Sequence, residues 1–243
     1  MNQPISFNIY VLSYKRPKVN LTERLLEYCT YVVRESEAEE YRENGHVNLK
    51  VIPKDCPCYN FMDTFYWTIW NTPEDVICII DDDIQQFAYR MDQYSPIKID
   101  KKGIETATSE IERIAQLIVD LNIGLAFDSV NGMLLNYDAE FKFKGMPGHI
   151  RWVNKSAFKA KYNHKDPCSS DVDVVMQEVM LNRIALQEKY FWLRSPMEKA
   201  LGENETIEYN KRRNLHHALK NKWGKYYHYD QRKNQARMNI PGR

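Results

Sequence analysis

The chain has 243 residues, enough for one large domain or two small ones and for a sizeable buried core. Its hydrophobic fraction of 43% and charged fraction of 28% are those of an ordinary soluble globular protein. No apolar run approaches the length of a membrane span, and MNQPISFNIY lacks the basic-then-apolar layout of a signal peptide; the expected location is the cytoplasm, with no membrane partner.

In chain order, residues 6–13 are rich in Ile, Val and Tyr and end at the turn-like SYKRP, which predicts a buried strand with a polar loop at its C-terminal end. Residues 21–28 have helical spacing, with Asn20 as a candidate cap, and TYVVR (30–34) reads as a short strand. Ser36 followed by Glu39 is a capping-box pattern for a helix ending near Asn44-Gly45. VNLKVIP gives a third strand, and residues 60–71 an aromatic helix closed by Thr72-Pro73. VICII then forms a strand that runs into Asp81, Asp82 and Asp83. Alternation of strand and helix predicts a parallel α/β sheet with right-handed crossovers, in which ligands bind beyond the carboxyl ends of the strands.

Beyond the aspartates, residues 103–122 form an amphipathic helix with Ile111, Ile114, Ala115 and Ile118 on one face. IGLAFD reads as a strand, and HIRWVNKSAF as a strand returning to the core. SSDVDVVMQEVMLNRIAL opens with Ser170 and acids and continues helically through Val174, Val175, Met176, Val179 and Met180. No repeat or low-complexity linker appears. The expected organisation is one domain over residues 1–210 with a basic, aromatic extension over 211–243 packed on it. Net charge is +1, yet the extension carries ten Lys/Arg against one acid, Asp230. Such a block is a solvated tail or a surface for polyanions; Trp223, Tyr226, Tyr227 and Tyr229 within it favour a folded, anion-facing segment. The five cysteines are odd in number and lack zinc spacing, and Cys56-Pro57-Cys58 is too short for a CxxC pair, so they read as reduced thiols.

Three like charges at the end of a buried strand repel one another unless something offsets them. Hard divalent cations such as Mg²⁺ or Mn²⁺ take carboxylate oxygens and share their coordination shell with substrate phosphates. Asp81 and Asp83 alternate in an extended segment and can share one face, with Asp82 either supporting them or simply exposed. A solvated acidic turn is the plain alternative; the strand context favours metal–diphosphate binding.

The layout of VLSYKRP, alternating strands and helices, and CIIDDDI resembles the nucleotide-sugar glycosyltransferases of the GT-A fold: a Rossmann-like, mixed but mostly parallel sheet flanked by helices. More narrowly, VLSYKRP, YVVRESEAEEYREN and IIDDDI resemble the TET-associated glycosyltransferases of bacteriophages, which add sugars to 5-hydroxymethylpyrimidines in DNA. The resemblance implies a UDP-sugar donor and Mn²⁺ or Mg²⁺, with DNA as acceptor and no obligate protein partner. It places Ser13, Tyr14, Lys15, Arg16 and Pro17 at the base and ribose of the donor. Arg34 would lie near the nucleotide, or pair with Glu35 or Glu37. Asp81 and Asp82 would face the ribose or the metal shell, with Asp81 and Asp83 as metal ligands and His216, His217 or His228 as a third. A carboxylate at the start of a helix in the second half would act as general base, which points to Asp171 or Asp173 with Asp173 preferred; helix capping explains either equally well. The Glu-Asp pair common in the wider family is absent there. Arg212, Arg213, Lys220, Lys222 and Lys225 would neutralise the departing diphosphate or the phosphates of DNA, while Leu215, Leu219 and Trp223 have the spacing of a helix packed on the core.

The alternatives are a glycosyltransferase acting on a saccharide, lipid or protein, a metal-dependent nuclease built on Asp81 and Asp83, and a nucleic-acid-binding protein in which DDD is only a turn.

Overall fold

The computed structural model describes residues 5–90, 93–129, 139–195, 205–232 and 235–240. The first strand, β1 (Phe7–Leu12), is followed by β2 (Thr30–Arg34), α1 (Glu35–Glu43), β3 (Leu49–Ile52), α2 (Phe61–Trp70) and β4 (Val76–Asp81). A small antiparallel pair, β5 (Gln86–Arg90) and β6 (Tyr94–Pro96), precedes α3 (Lys101–Asp120) and β7 (Leu125–Ser129). Then come β8 (Phe141–Lys142), β9 (Pro147–Asn154), α4 (Asp171–Asn182), β10 (Leu186–Glu188), β11 (Phe191–Arg194), α5 (Glu205–Trp223), β12 (Tyr227–Asp230) and β13 (Gln235–Met238).

Eight strands form the main sheet in the order β3-β2-β1-β4-β9-β7-β10-β8. The β3, β2, β1 and β4 pairings are parallel, as is β7 with β10, while β9 runs antiparallel to both β4 and β7. This is the mixed, mostly parallel sheet of a GT-A-like fold. One face buries Ile9, Val11, Cys78, Ile80 and Trp152 under α1 and α3. The other buries Tyr10, Leu12, Ile77, Ile79 and Phe127 under α2 and α4. Two covered faces explain why VICII is uniformly apolar rather than alternating.

The chain winds outward through β1, β2 and β3 and then returns to place β4 on the other side of β1. Strand order reverses between β1 and β4, and a crevice opens at their carboxyl ends where Leu12 is in register with Asp81. The expected helix over residues 21–28 is a single 3-10 turn, Glu23–Leu25, because Leu25 and Leu26 turn into the core while Thr22 is tied to β4. The capping box at Ser36 is also not formed: α1 begins at Glu35, and Arg34 makes no side-chain cap. A box forms instead at α2, where Asn60 and Asp63 exchange hydrogen bonds with each other's backbone. The small sheet β11-β5-β6 was not foreseen.

In the C-terminal part, α5 runs through the 210/211 division. Leu219 is fully buried against Val172 and Met176 of α4, with Leu215 and Trp223 half-buried beside it. Among the described residues no helix is long and apolar enough to cross a membrane, and the five cysteines are free thiols.

Candidate active site

Each carboxylate of the acidic turn has its own partners. Asp81, the last residue of β4, accepts from His149 Nδ1 at 2.9 Å and from Arg151 Nη1 at 3.2 Å. Burial pushes its pKa up, but Arg151 and His149 outweigh burial and hold Asp81 below the usual carboxylate range. The same hydrogen bond raises His149 above an ordinary imidazole. Asp82 is buried, not exposed: it accepts from Ser13 Oγ at 2.5 Å and from Arg16 Nη1 at 3.1 Å. Burial raises its pKa, opposed by Ser13 and Arg16 and reinforced by Asp83 and Asp81. Asp83 is partly exposed, accepting from Ser195 Oγ at 3.0 Å and meeting Arg16 Nη1 at 3.4 Å. Protein cations and hydroxyls thus offset the repulsion that the sequence raised.

The loop after β1 is set by α1. Lys15 adopts a left-handed φ of 56°, which costs a non-glycine residue about 1 kcal/mol or more. Its N–H donates to Glu37 Oε2 at 2.7 Å, and Arg16 N–H donates to Tyr41 OH at 3.1 Å. Tyr41 OH lies 2.6 Å from Ser13 Oγ; since the Ser13 proton is used on Asp82, Tyr41 is the donor to Ser13. This chain aims Arg16 across Asp82 and Asp83. The exposed Tyr14 ring carries the Arg34 guanidinium at 4.4 Å and Lys15 Nζ at 5.1 Å from its centroid. Arg34 therefore joins the same loop, whereas Pro17 is buried with its carbonyl accepting from His46 Nε2 at 2.8 Å.

On the other side of the crevice, Arg151 Nη2 donates to Asp171 Oδ2 at 3.2 Å, so that one guanidinium spans Asp81 and Asp171. Asp173 is placed differently from Asp171. It is buried, and it accepts from Trp223 Nε1 at 2.8 Å and from Lys222 Nζ and Gln177 Nε2, each at 2.9 Å. Its amide takes the cap from Ser170 Oγ at 3.2 Å. Two of these donors belong to α5 and one to α4, so the Asp173 carboxylate ties the two helices together. Lys222 is correspondingly engaged by Asp173 and by Asp166 at 2.7 Å, and is not aimed at the acidic turn. Arg212 lies on α5, but its side chain is outside the described residues.

His216 contacts Tyr227 OH at 2.6 Å and stacks on Tyr229, while His228 is exposed on β12. Among the described residues no group of three or more His, Cys, Asp or Glu converges as a metal cage, so these histidines do not join Asp81 and Asp83.

Five contributors were not foreseen. Thr22 Oγ1 donates to the Asp81 carbonyl at 2.7 Å and accepts from Ile84 N at 3.0 Å, fixing the turn on both sides. Tyr41 and Glu37 shape the Lys15 loop. His149 and Arg151 come from β9; their i, i+2 spacing puts them on one face of a strand, a signal visible in HIRWV only once β9 is known to lie beside β4. A narrow cleft between the starts of α2 and α4 is lined by Phe61, Phe65, Phe127, Pro147, Arg151 and Asp171.

No protein-family model matches the sequence, and no curated protein matches it. Solved structures do match by fold. The mannosyltransferase PcManGT from Pyrobaculum calidifontis, solved with GDP-Man and Mn²⁺, superposes with a TM-score of 0.56 at 9% identity, covering 91% of this chain and 65% of that one. A mycobacterial protein matches with a TM-score of 0.54 at 7% identity, covering 96% and 82%. S. aureus TarS 1-349 in complex with UDP-GlcNAc gives a TM-score of 0.46 at 12% identity, covering 89% and 67%. The chain thus has the GT-A glycosyltransferase fold, and it spans 65% of the length of the mannosyltransferase.

Proposed function

We propose that this protein is a divalent-cation-dependent glycosyltransferase that moves a sugar from a UDP-sugar to the hydroxymethyl group of a modified pyrimidine in DNA. The observation that carries the enzyme reading is the acidic turn itself. Asp81 and Asp83, each partly exposed, stand at the β1/β4 reversal beside the strained SYKRP loop, on a fold shared with a mannosyltransferase solved with GDP-Man and Mn²⁺.

The donor set fits Mg²⁺ or Mn²⁺. Such ions bind through one or two carboxylates and complete their shell with water and substrate phosphates, so a three-residue protein cage is not required. Asp83 and Asp81 would hold the ion, which when bound supplies positive charge to the leaving diphosphate. Tyr14, with Arg34 and Lys15, offers a stacking face and positive charge to the nucleotide, and Ser13 and Asp82 hold the loop in place. Arg16, exposed beside Asp83, would supply positive charge to the diphosphate. Asp171, one-third exposed at the cleft, takes the proton of the acceptor hydroxyl as its oxygen bonds to the anomeric carbon and the sugar–phosphate bond breaks, releasing UDP.

The acceptor reading is supported by the sequence resemblance and by the exposed Lys211, Lys220, Lys225, Arg232 and Arg237 of the C-terminal segment. Sugar transfer from UDP-glucose, UDP-galactose and UDP-N-acetylglucosamine with Mn²⁺ should be measured on hydroxymethylated DNA, unmodified DNA and simple glycans. Transfer confined to hydroxymethylated DNA is the expected result. Transfer to glycans alone would replace the acceptor and keep the enzyme class.

A further inference from the structure

A guanidinium in the middle of a hydrophobic sheet needs a reason. Arg151 lies on β9 between the fully buried Ile150 and Trp152, and its own side chain is only 7% exposed. Its Nη atoms donate to Asp81 Oδ1 at 3.2 Å, the His149 carbonyl at 3.4 Å, the Gly148 carbonyl at 2.7 Å and Asp171 Oδ2 at 3.2 Å. The ring of Phe61 stands 5.0 Å from its Cζ, and Nε has no partner among the described residues. A buried ion network of this kind is weak support for stability, because well-packed apolar side chains of similar volume hold a fold as well or better. What apolar side chains cannot do is bind two carboxylates from different elements in one rigid plane.

We propose that Arg151 is a positioning residue for glycosyl transfer, fixing the acidic turn at the end of β4 and Asp171 at the start of α4 in one relation. The inference rests on the glycosyltransferase reading of the acidic turn. The donor diphosphate is held on one side of Arg151 and the acceptor hydroxyl is activated on the other. The planar guanidinium sets the distance between them. Both carboxylates are bonded to the same guanidinium, so a shift of one is transmitted to the other. A misplacement of about 1 Å in such a constellation lowers turnover by about 10²-fold.

The test is a double-mutant cycle of Arg151→Lys with Asp171→Asn, read as UDP release from the UDP-sugar the wild type turns over best, with Mn²⁺. Lysine keeps the charge and the fold but loses the two-armed geometry, and Tm by circular dichroism checks that the fold is kept. The expected result is a fall in kcat of about 10²-fold with donor KM held within about threefold. In the Asp171→Asn background, Arg151→Lys should change kcat by less than about threefold. Equal losses in both backgrounds, or a loss confined to KM, overturn the inference while leaving the glycosyltransferase reading intact. Where the residual turnover of Asp171→Asn is too slow to measure, the split between kcat and KM decides alone. Absence of UDP release by the wild type with every donor overturns both.

Discussion

Asp171 and Asp173 stand two residues apart on the first turn of α4, and exchanging each for asparagine should break a different property. At Asp173 the carboxylate accepts from three donors, Trp223 Nε1, Lys222 Nζ and Gln177 Nε2. An asparagine keeps one oxygen acceptor but turns an amide NH₂ toward Lys222 or Gln177, both donors, inside a site that is 3% exposed. Breaking a buried charged network costs about 3–5 kcal/mol. The lower end applies, because Lys222 is about one-third exposed and keeps Asp166. About 3 kcal/mol corresponds to a fall in Tm of about 6–12 °C for a domain of this size. Asp171→Asn should move Tm by no more than about 3 °C, since the amide oxygen still accepts from Arg151, yet turnover should fall by about 10²–10⁴-fold. Thermal unfolding by circular dichroism and UDP release at 20 °C, well below both midpoints, read the two properties separately. If Asp173→Asn keeps the wild-type Tm and abolishes turnover while Asp171→Asn stays active, the assignment of anchor and base is refuted.

Two further outcomes follow from buried groups away from the crevice floor. Glu188 is fully buried, with one oxygen accepting from Tyr190 and Phe191 N–H and the other without a partner among the described residues, and burial pushes its pKa up to about 7. The folded chain then keeps a proton that the unfolded chain has already lost above its ordinary value near 4.5. Stability should therefore decline by up to about 3 kcal/mol as pH rises from about 4.5 to about 7, and level off beyond it. Urea titrations across that range should show the slope in wild type and a flatter profile in Glu188→Gln; a wild-type stability that rises through the window would contradict the burial argument. Gly148 has no room for a side chain, because a Cβ there would meet Asp128 Oδ2 at 2.3 Å. Asp128 is itself held by Ile150 N–H at 2.7 Å, and the Gly148 carbonyl accepts from Arg151. Gly148→Ala should therefore lower both Tm and kcat, and an alanine variant with wild-type values of each would show that β9 and Asp128 yield easily.

Local signals carried most of the architecture. The uniform apolarity of VICII, the one-sided face of Ile111, Ile114, Ala115 and Ile118, and the helical run through Val174, Val175, Met176 and Val179 each describe an element whose burial is decided by nearby residues, and each was legible. The crevice was legible too, because SYKRP and DDD both end parallel strands. Two local signals misled. Residues 21–28 have helical spacing, yet Thr22 is held by β4 and only one turn forms. At α1, Ser36 and Glu39 match a capping box, but Glu39 pairs with Arg42. The rest depends on pairings between distant segments. His149 and Arg151 reach Asp81 from 68 and 70 residues away, and only the insertion of antiparallel β9 beside β4 brings them there. The different surroundings of Asp171 and Asp173 likewise depend on where α5 packs, since Trp223 lies 50 residues beyond Asp173.

In the proposed function, Asp83 and its neighbours bind a UDP-sugar through a divalent cation. Differential scanning fluorimetry of the wild type and Asp83→Ala against UDP-glucose, UDP-galactose and UDP-N-acetylglucosamine, with Mn²⁺ or with EDTA, tests it most directly. A donor at about 100 times its Kd stabilises by about 2.7 kcal/mol, a rise in Tm of roughly 5–10 °C. That rise is expected for at least one donor with Mn²⁺, with its loss in EDTA and its loss in Asp83→Ala while the ligand-free Tm is preserved. No shift with any donor, or an equal shift in Asp83→Ala, would contradict it.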